Sequence, residues 1–413
     1  MDKKERIEEL VTLLNEANYK YYVACEPIMT DYEFDMKLKE LEALEEETGY
    51  VLSYSPTQRV GSDLQSGFKT VQRNRMMGSI ANCYDIKELE DWIDAFGMAY
   101  SFILEPKYDG LSCSLIYKNG VLVSASTRGN GLVGDDITEN VKTIKSIPLV
   151  LHPHSEILIA GDWHYEGLYV PDEIEVRGEI LLPKSQFKKI NEKRIADGLP
   201  PFANERNCAA GSIKQLDPKV TASRHLMFMP YAVYSDDITF TSKYIYEQHM
   251  MLDVAWLLGF AQPNYWRPAG SSSAIHLIHS FEEKFLKKQD YCMDGCVIKI
   301  DSLSQQAALG YTQKVPKWAK AFKFKQESAS TKLLGVEWQM GRTGKLTPVG
   351  ILEPVEIDGS TVSRASLNNM DYINELNLQI GAYVFVEKGG AVIPKVTGVD
   401  YDKTEAEGIE LNE

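Results

Sequence analysis

The sequence predicts an α+β protein with a helical N-terminal hairpin, a larger mixed domain and a small β-barrel. Apolar residues recur at helical spacing within the first 48 residues, and strand-like runs alternate with helical stretches between residues 100 and 300. Short β segments broken by Gly and Pro then fill residues 330–400. A chain of 413 residues has room for two to three domains of about 150 residues each.

Two amphipathic helices form the predicted hairpin, which we assign to residues 1–62. Their apolar positions are Ile7, Leu10, Val11, Leu14, Ala17 and Tyr21 in the first helix, and Phe34, Leu38, Leu41 and Leu44 in the second. Asp31 stands where a helix N-cap is expected. The segment Ser55–Gly61 is rich in turn-forming residues and is predicted to be a linker.

The mixed domain is predicted over residues 63–327. Strands are expected at 102–104, 111–117, 121–125, 174–182, 226–234 and 295–300, and helices near 184–196 and 246–258. Lys118-Asn119-Gly120 is a hairpin turn sequence, and residues 150–173 are expected to form an irregular surface excursion. An OB-like barrel is predicted over 328–405, followed by an acidic tail at 406–413.

The net charge of −15 is unusual for a protein that binds nucleic acid, but the charge is unevenly distributed. Residues 1–60 carry a net charge of −7 and residues 400–413 carry −5, so residues 61–399 carry only −3. The middle of the chain can therefore present a basic face, because phosphate binding depends on the local placement of Lys and Arg.

The six cysteines, at positions 25, 83, 113, 208, 292 and 296, are irregularly spaced and are expected to be free thiols. Cys292 and Cys296 lack the second pair that a structural zinc site requires, so no zinc is expected. No apolar run approaches the roughly 18 residues that span a bilayer, and the charged N-terminus has no signal-peptide pattern. The sequence thus predicts a cytoplasmic protein with no membrane partner.

The segment from Glu105 to Gly110, which reads EPKYDG, follows one apolar strand and precedes another. An ordinary solvated turn would explain it, because a K-x-D-G tetrapeptide occurs by chance in roughly one chain in ten of this length. The alternative is that Lys107 is a nucleophile held rigidly against a bound phosphate. A free lysine amine, with a pKa of about 10.4, is protonated at neutral pH, so a nucleophilic lysine needs burial or nearby cations. Asp109 would orient either a ribose hydroxyl or a neighbouring cation.

Three later segments carry charged side chains in strand contexts: Glu175–Glu179, Met293–Ile300 and Trp318–Lys325. The alternation of apolar and basic residues in the last of them predicts a row of lysines on one strand face. Each segment also has a structural explanation, as a strand-end acid, a turn or a solvated face. In this order, together with the Lys107 segment, they resemble the nucleotidyltransferase motifs shared by DNA ligases and RNA capping enzymes.

Further segments narrow the resemblance to the NAD+-dependent DNA ligases, from residue 1 to about 400. They are Asp31–Asp35, Ser55–Gly61, Thr127–Thr138, Phe202–Asn207 with Ala209–Ser212, and Gly341–Gly344. The resemblance implies an adenylation domain of the ATP-grasp-like ligase fold, an OB fold that meets DNA, and the cofactors NAD+ and Mg2+ (or Mn2+). It also implies a monomer that acts on nicked double-stranded DNA in replication and repair.

The resemblance implies roles for particular residues as well. Lys107 would be the nucleophile that takes up AMP, with Asp109 as a second catalytic residue. The hairpin would bind the nicotinamide mononucleotide (NMN) half of NAD+ through Tyr21, Tyr22, Asp31, Phe34 and Asp35. The adenylate pocket would contain Ser79, Ile80, Glu105, Arg128, Glu179, Lys299 and Lys323. Glu105 would read the adenine edge, and Lys299 and Lys323 would neutralise the α-phosphate.

Contacts to DNA or phosphate are implied for Arg206, Lys214 and Arg342, and support of a divalent cation for Glu179 and Asp294. The implied reaction has three steps. Lys107 takes AMP from NAD+, AMP passes to the 5′-phosphate of a nick, and the 3′-hydroxyl attacks to seal the strand.

Several positions depart from the family pattern. Tyr22 replaces a common histidine, Phe34 a tyrosine, and Asn368 a histidine, while Ala382 and Ala391 replace aspartates. The changes in the barrel predict an altered DNA-clamping surface. Members of the family continue into zinc, helix-hairpin-helix and BRCT modules, so this chain is expected to be a shortened form. A nucleotidyltransferase acting on RNA ends or caps, and a non-catalytic DNA-binding protein of the same fold, are the alternative hypotheses.

Overall fold

The computed structural model describes residues 2–22, 28–29, 31–59, 68–151, 159–160, 163–165, 167–202, 204–312, 315–324, 328–340, 346–357, 360–389 and 393–407. The chain divides into two compact units, Met1–Lys323 and Phe324–Glu413. The five cysteines in the described part are free thiols, as expected: Cys83, Cys113, Cys208, Cys292 and Cys296. Among the described helices, none combines the length and the apolar character needed to cross a bilayer.

The N-terminal residues form two helices, α1 (Lys3–Tyr22) and α2 (Asp31–Thr48), which confirms the predicted hairpin. Spacing of three and four residues places apolar side chains on one face of each helix, where they can pack together. The core of the hairpin contains five fully buried side chains: Ile7, Leu10, Val11, Leu14 and Leu41.

The rest of unit 1 alternates strands and helices, as expected for an α+β domain. Its strands are β1 (Thr70–Gln72), β2 (Ala81–Cys83), β3 (Phe102–Tyr108), β4 (Leu111–Lys118), β5 (Val121–Thr127), β6 (Val133–Asp135), β7 (Ile159–Ala160), β8 (Trp163–His164), β9 (Glu173–Leu181), β10 (Met227–Tyr234), β11 (Met293–Ile300) and β12 (Ala319–Lys323). Its helices are α3 (Ile86–Asp94), α4 (Thr138–Lys142), α5 (Lys184–Ala196), α6 (Glu205–Ile213), α7 (Pro218–Ala222), α8 (Ile238–Tyr244), α9 (Gln248–Leu257), α10 (Ser271–Ser280) and α11 (Leu303–Leu309).

Two four-stranded sheets organise this domain. The first has the strand order β10-β9-β4-β5 and is antiparallel throughout. The second has the order β2-β12-β11-β3, in which only β2 and β12 are parallel. The predicted hairpin turn is confirmed, because Asn119 and Gly120 join β4 to β5 with positive φ angles of 48° and 79°.

The expectation that residues 150–173 are a surface excursion is wrong for part of that segment. Leu151, Tyr165 and Leu168 are at most 9% exposed and belong to the main core of the domain. These apolar side chains anchor the segment, so buried residues, Leu151 before and Tyr165 after, flank the short strands β7 and β8 in the sequence.

The predicted row of lysines on one face of β12 is also wrong. Lys320 contacts Glu88 of α3 at 2.6 Å, whereas Lys323 contacts Asp294 of β11 at 3.0 Å. Two consecutive apolar residues, Ala321 and Phe322, interrupt the alternation, and successive side chains of a strand point to opposite faces. The two lysines therefore lie on different sides of the sheet.

Unit 2 is a closed five-stranded barrel, which confirms the barrel prediction. Its strands are β13 (Ser328–Met340), β14 (Leu346–Ile357), β15 (Ser360–Ser366), β16 (Tyr383–Gly389) and β17 (Ile393–Val399), arranged in the order β13-β14-β15-β17-β16. Helices α12 (Met370–Glu375) and α13 (Tyr401–Ala406) complete the unit. The interior is apolar and contains Leu333, Leu352, Val362, Val384, Val386 and Val396.

A buried ion pair fastens the segment before β2 to the first sheet. The Nε of Arg177 lies 2.6 Å from Oε1 of Glu175, and these side chains are only 6% and 9% exposed. Arg177 also donates hydrogen bonds to the backbone carbonyls of Arg75 and Met76, at 2.7 and 2.8 Å. A buried charge is tolerated when it is both paired and hydrogen-bonded, so this pair depends on both partners.

Replacing Arg177 with Met is expected to destabilise unit 1 by about 3–5 kcal/mol, because the Glu175 carboxylate is left buried without its partner. Thermal unfolding followed by circular dichroism would measure the change. The matched control is Lys118→Ala, which removes an ion pair between Lys118 of β4 and Glu173 of β9, with both side chains more than half exposed. That variant should lose at most about 1 kcal/mol. Equal losses in the two variants would contradict the prediction.

Candidate active site

Adjacent antiparallel strands bring the charged side chains of the site together. In the ladder between β3 and β11, Lys107 pairs with Gly295 and Glu105 with Val297. Because side chains alternate along a strand, Glu105 and Lys107 share one face of β3. The register shifts between Met293 and Gly295, so Asp294 is an extra residue in the ladder. A bulge of this kind can redirect a side chain, and here Asp294 contacts Lys107.

Two lysines share the carboxylate of Asp294. The Nζ of Lys107 lies 2.8 Å from Oδ1, and the Nζ of Lys323 lies 3.0 Å from Oδ2. Lys323 reaches this point because β12 pairs with β11 and places Lys323 opposite Gly295. The three side chains are 16–23% exposed, so they are accessible but partly desolvated. The group has a net positive charge, which suits an anionic ligand such as a phosphate.

A second pair lies deeper in the same sheet. The Nζ of Lys299 is 2.7 Å from Oε2 of Glu105, with side-chain exposures of 8% and 5%. Gln248, the first residue of α9, donates from Nε2 to Oε1 of Glu105 at 3.0 Å. Burial raises the pKa of the Glu105 carboxyl above its ordinary value, although the charge of Lys299 acts in the opposite direction. The pair presents a hydrogen-bond donor and an acceptor side by side.

The first sheet contributes Glu179. Ser112 of β4 lies opposite it in the ladder and donates to its Oε2 at 2.6 Å. Burial raises the pKa of Glu179 to about 7, although the hydrogen bond from Ser112 and the charges of Arg206 and Lys107 act in the opposite direction. Asp109 is held by Arg206, whose Nη1 lies 2.7 Å from Oδ1. Asp109 thus contacts a neighbouring cation, the guanidinium of Arg206.

Close packing around Gly110 explains why the segment Glu105–Gly110 ends in glycine. A Cβ at this position would lie 2.1 Å from the carbonyl oxygen of Ile180, far inside van der Waals contact. The turn after Lys107 therefore packs directly on the backbone of β9, next to Glu179. Any larger residue would push the lysine strand away from the first sheet.

Arg128 lies in an exposed loop that a buried arginine holds in place. The guanidinium of Arg73 donates to Ser126 Oγ at 2.9 Å, to the carbonyl of Thr127 at 2.6 Å and to the carbonyl of Arg128. Gly129 follows with φ of 54°, and a Cβ there would lie 1.9 Å from the carbonyl oxygen of Val133. The loop is thus rigid at its base, and the Arg128 side chain is free to meet an anion from solvent.

The remaining predicted residues lie away from these contacts or outside the described part of the chain. Ser79 and Ile80 directly precede β2, at the edge of the second sheet. Lys214 forms an ion pair with Asp135 at 2.7 Å. Phe34 is half-buried and packs on the core of the helical hairpin. The side chains of Tyr21, Tyr22, Asp31 and Asp35, and the whole of Arg342, are outside the described residues.

One group with metal-ligating chemistry was not predicted. Among the described residues, Glu247, His249 and Asp301 place their ligand atoms within 4.8 Å of one another. The guanidinium of Arg267 already lies beside them, with Nε 3.2 Å from Asp301 Oδ2 and Nη2 4.0 Å from Glu247. Because this arginine supplies the positive charge, the group is a structural ion-pair network.

Sequence reasoning also missed Arg73, Ser112 and Gln248, which hold Arg128, Glu179 and Glu105 in place. None of the three belongs to a recognisable motif. A single serine in a strand, or a glutamine at the start of a helix, has no sequence pattern that distinguishes a supporting residue from a surface one.

Comparison with known proteins finds three family matches along the chain. The profile of the N-terminal NAD+-binding domain of DNA ligase-like proteins matches residues 1–61. The NAD-dependent DNA ligase adenylation domain matches residues 65–327, and the NAD-dependent DNA ligase OB-fold domain matches residues 330–408.

Similar full-length relatives are bacterial DNA ligases. The chain is 41% identical to the DNA ligase of Azobacteroides pseudotrichonymphae over 405 residues and 43% identical to that of Porphyromonas gingivalis over 418 residues. These alignments cover 97% and 98% of this chain but only 58% of each relative, so the chain spans little more than half of their length. A solved structure of a Lig E DNA ligase has a TM-score of 0.42 at 11% identity, covering 78% of this chain and 100% of that one. The chain therefore belongs to the NAD-dependent DNA ligase family, of which it contains the N-terminal NAD+-binding, adenylation and OB-fold domains.

Proposed function

We propose that this chain is an NAD+-dependent DNA ligase, or the self-adenylating part of one, in which Lys107 carries AMP. The observation that supports this most directly is the group formed by Lys107, Asp294 and Lys323 at the junction of three strands. A nucleophilic amine, a carboxylate and a second cation are the groups that attack on a phosphate requires.

In the first step the Lys107 amine attacks the α-phosphorus of NAD+. A P–N bond forms, and the P–O bond to NMN breaks, so that NMN leaves with the bonding electrons. The amine gives up protons in this reaction, and it already donates a hydrogen bond at 3.0 Å to Oδ2 of the Asp294 carboxylate, which is a close acceptor. Lys323 and Arg128 would then stabilise the charge on the phosphate. Phosphoryl transfer depends mainly on this kind of positioning and charge stabilisation.

Glu105 and Lys299 would read the adenine base. Adenine presents a donor, its exocyclic amine, beside an acceptor, its N1, and the pair offers the complementary acceptor and donor. This revises the role expected for Lys299, because its contact with Glu105 favours the base over the α-phosphate. Lys323, which lies beside Lys107 and Asp294, retains the phosphate role.

A divalent cation fits this site as a companion of the substrate. Glu179 and Asp294 offer oxygen ligands, but Asp294 is occupied by two lysines, and the two acids do not belong to a ready-made group of three ligands in the described residues. Mg2+ is commonly held by one or two carboxylates together with substrate phosphates. When bound, it would neutralise charge on the transferring phosphate.

The later steps would use a nick in double-stranded DNA. AMP passes from Lys107 to the 5′-phosphate, and the 3′-hydroxyl then attacks that phosphate and releases AMP. The Lys214–Asp135 pair is exposed on both sides, at 45% and 37%, so a DNA phosphate could replace Asp135 at little cost. Arg206 is 41% exposed but its partner Asp109 is only 11% exposed, so Arg206 would meet a phosphate while keeping its contact with Asp109. Arg342 is proposed for the same role.

Further parts of the proposal depend on the family resemblance alone. They are the NMN contacts of Tyr21, Tyr22, Asp31, Phe34 and Asp35, the nucleotide contacts of Ser79 and Ile80, the domain boundaries at 62, 327 and 405, a monomeric state and a cytoplasmic location. These stay predictions.

Incubation with NAD+ and Mg2+ is expected to add one AMP to the chain, because Lys107 is poised beside Asp294 and Lys323. Lys107→Ala should abolish the addition, as measured by intact-protein mass spectrometry. Lys320→Ala is the matched control, because its amine lies on the other side of the same sheet and contacts Glu88. Equal labelling from ATP would contradict the cofactor assignment, and labelling of Lys107→Ala would contradict the choice of nucleophile.

Removing residues 1–60 is expected to abolish adenylation by NAD+, because the hairpin is the proposed NMN site. The shortened chain should still pass AMP to nicked DNA once Lys107 has been adenylated chemically. Both steps can be followed with labelled AMP on gels. Unchanged reactivity with NAD+ would show that the hairpin does not bind NMN.

Replacing Glu179 with Gln is expected to stabilise the protein at high pH. The folded-state pKa of about 7 lies above the ordinary value of 4.5, so the folded state holds this proton more tightly. Stability from the neutral carboxyl is present below pH 4.5 and is lost as the pH rises through 7, by about 3 kcal/mol at most. Glutamine avoids that loss.

Thermal unfolding midpoints at pH 5 and pH 8 provide the measurement for this variant. The gain of Glu179→Gln over wild type should be small at pH 5 and clear at pH 8. Glu173→Gln, an exposed glutamate of the same strand, should show no such difference between the two pH values. A gain that is the same at both pH values would argue against the raised pKa.

A further inference from the structure

Gln248 is a buried polar residue that contacts the adenine-reading pair from a separate element. It is 3% exposed and is the first residue of α9. Its Nε2 donates to Oε1 of Glu105 at 3.0 Å and to the backbone carbonyl of Tyr231 at 3.2 Å. The single amide group therefore connects β3 to β10.

The contact with Gln248 completes the support of the Glu105 carboxylate. Lys299 donates to Oε2 at 2.7 Å, so each carboxylate oxygen has its own donor. Two donors on opposite oxygens fix the plane of the carboxylate. A carboxylate accepts about four hydrogen bonds, so acceptor positions remain for a substrate amine.

Gln248 is itself held firmly. Its backbone N–H donates to the carbonyl of Asp301 at 2.7 Å, and the next residue, His249, donates its backbone N–H to Asp301 Oδ1 at 3.0 Å. Asp301 is fully buried and lies two residues after Lys299. The start of α9 is thus attached to the end of the strand that carries Lys299, and both donors to Glu105 share one rigid support.

We propose that Gln248 is a positioning residue that sets the base specificity of adenylation by holding the Glu105 carboxylate in the orientation that accepts the adenine amine. This inference rests on the proposed function. Hypoxanthine carries a carbonyl where adenine carries its amine, and an N–H where adenine has the N1 acceptor. With a fixed Glu105–Lys299 pair, the hypoxanthine carbonyl faces the Glu105 carboxylate and its N–H faces the Lys299 amine, so both contacts are mismatched. A Glu105 carboxylate that can rotate avoids part of this mismatch.

The test compares NAD+ with nicotinamide hypoxanthine dinucleotide in single-turnover self-adenylation of the full chain. For Gln248→Met, we expect the half-saturating NAD+ concentration to rise about tenfold, because one hydrogen bond to a charged group is lost. The maximal rate should change little, because Lys107, Asp294 and Lys323 are untouched. The preference for NAD+ over the hypoxanthine analogue should fall by about the same factor of ten.

Gln306→Met is the matched control. Gln306 is also a buried glutamine, and its Nε2 donates to the backbone carbonyl of Ile300 at 2.7 Å without contacting Glu105. This variant should lose stability to a similar degree but keep the wild-type preference for NAD+. An equal loss of preference in both variants would overturn the inference, because a general structural effect would then explain it.

A second variant keeps the test decisive if Gln248→Met does not fold. Gln248→Asn keeps the amide but is one methylene shorter, so it is expected to fold and to show the same loss of base preference. Unchanged preference in a folded Gln248 variant would refute the positioning role, and so would loss of the folded state in both variants. Failure of the wild-type chain to react with NAD+ would instead refute the proposed function, which keeps the two outcomes separate.

Discussion

The antiparallel ladder between β3 and β11 sets the distances on which the candidate site depends. It places Glu105 and Lys107 two residues apart on one strand, opposite the strand that carries Asp294 and Lys299. The extra residue in β11 directs Asp294 towards Lys107, and β12 adds Lys323 from the other side. Backbone hydrogen bonds fix these positions, so the side chains need little rearrangement to meet a substrate. A change of register by one residue in β11 would turn Asp294 and Lys299 to the wrong face.

The site has two zones that differ in solvent exposure. The more exposed zone suits reaction with a phosphate, and the buried zone suits recognition of a base. Lys107, Asp294 and Lys323 are partly exposed, so an incoming phosphate can reach them and a leaving group can depart. Glu105 and Lys299 are almost fully buried. Hydrogen bonds discriminate between bases most strongly in such a place, because a buried polar group without a matching partner cannot bond to water instead. Glu179 is as buried as Lys299, and burial raises its pKa to about 7, so the charge of the site depends on pH near neutrality.

Supporting residues connect the site to the rest of unit 1. Arg73 holds the backbone of the Arg128 loop, Arg177 holds the segment that leads to Ser79, and Gln248 holds Glu105. All three are buried and donate hydrogen bonds to backbone carbonyls as well as to side chains. Their burial makes them costly to replace, and their contacts transmit the rigidity of the sheets to the functional groups.

The sequence by itself determined the hairpin helices, the turn at Asn119-Gly120 and the barrel. Each of these depends on periodicity or on neighbouring residues, which a sequence displays directly. It could not determine which charged groups meet. Lys107 and Asp294 are 187 residues apart, Glu105 and Lys299 are 194 apart, and Glu105 and Gln248 are 143 apart. Strand pairing decided that Lys320 and Lys323 lie on opposite faces of β12 and that Asp294 occupies a bulge. Core packing decided the burial of Tyr165. These long-range contacts leave no local pattern, because they arise only when distant strands have found their register.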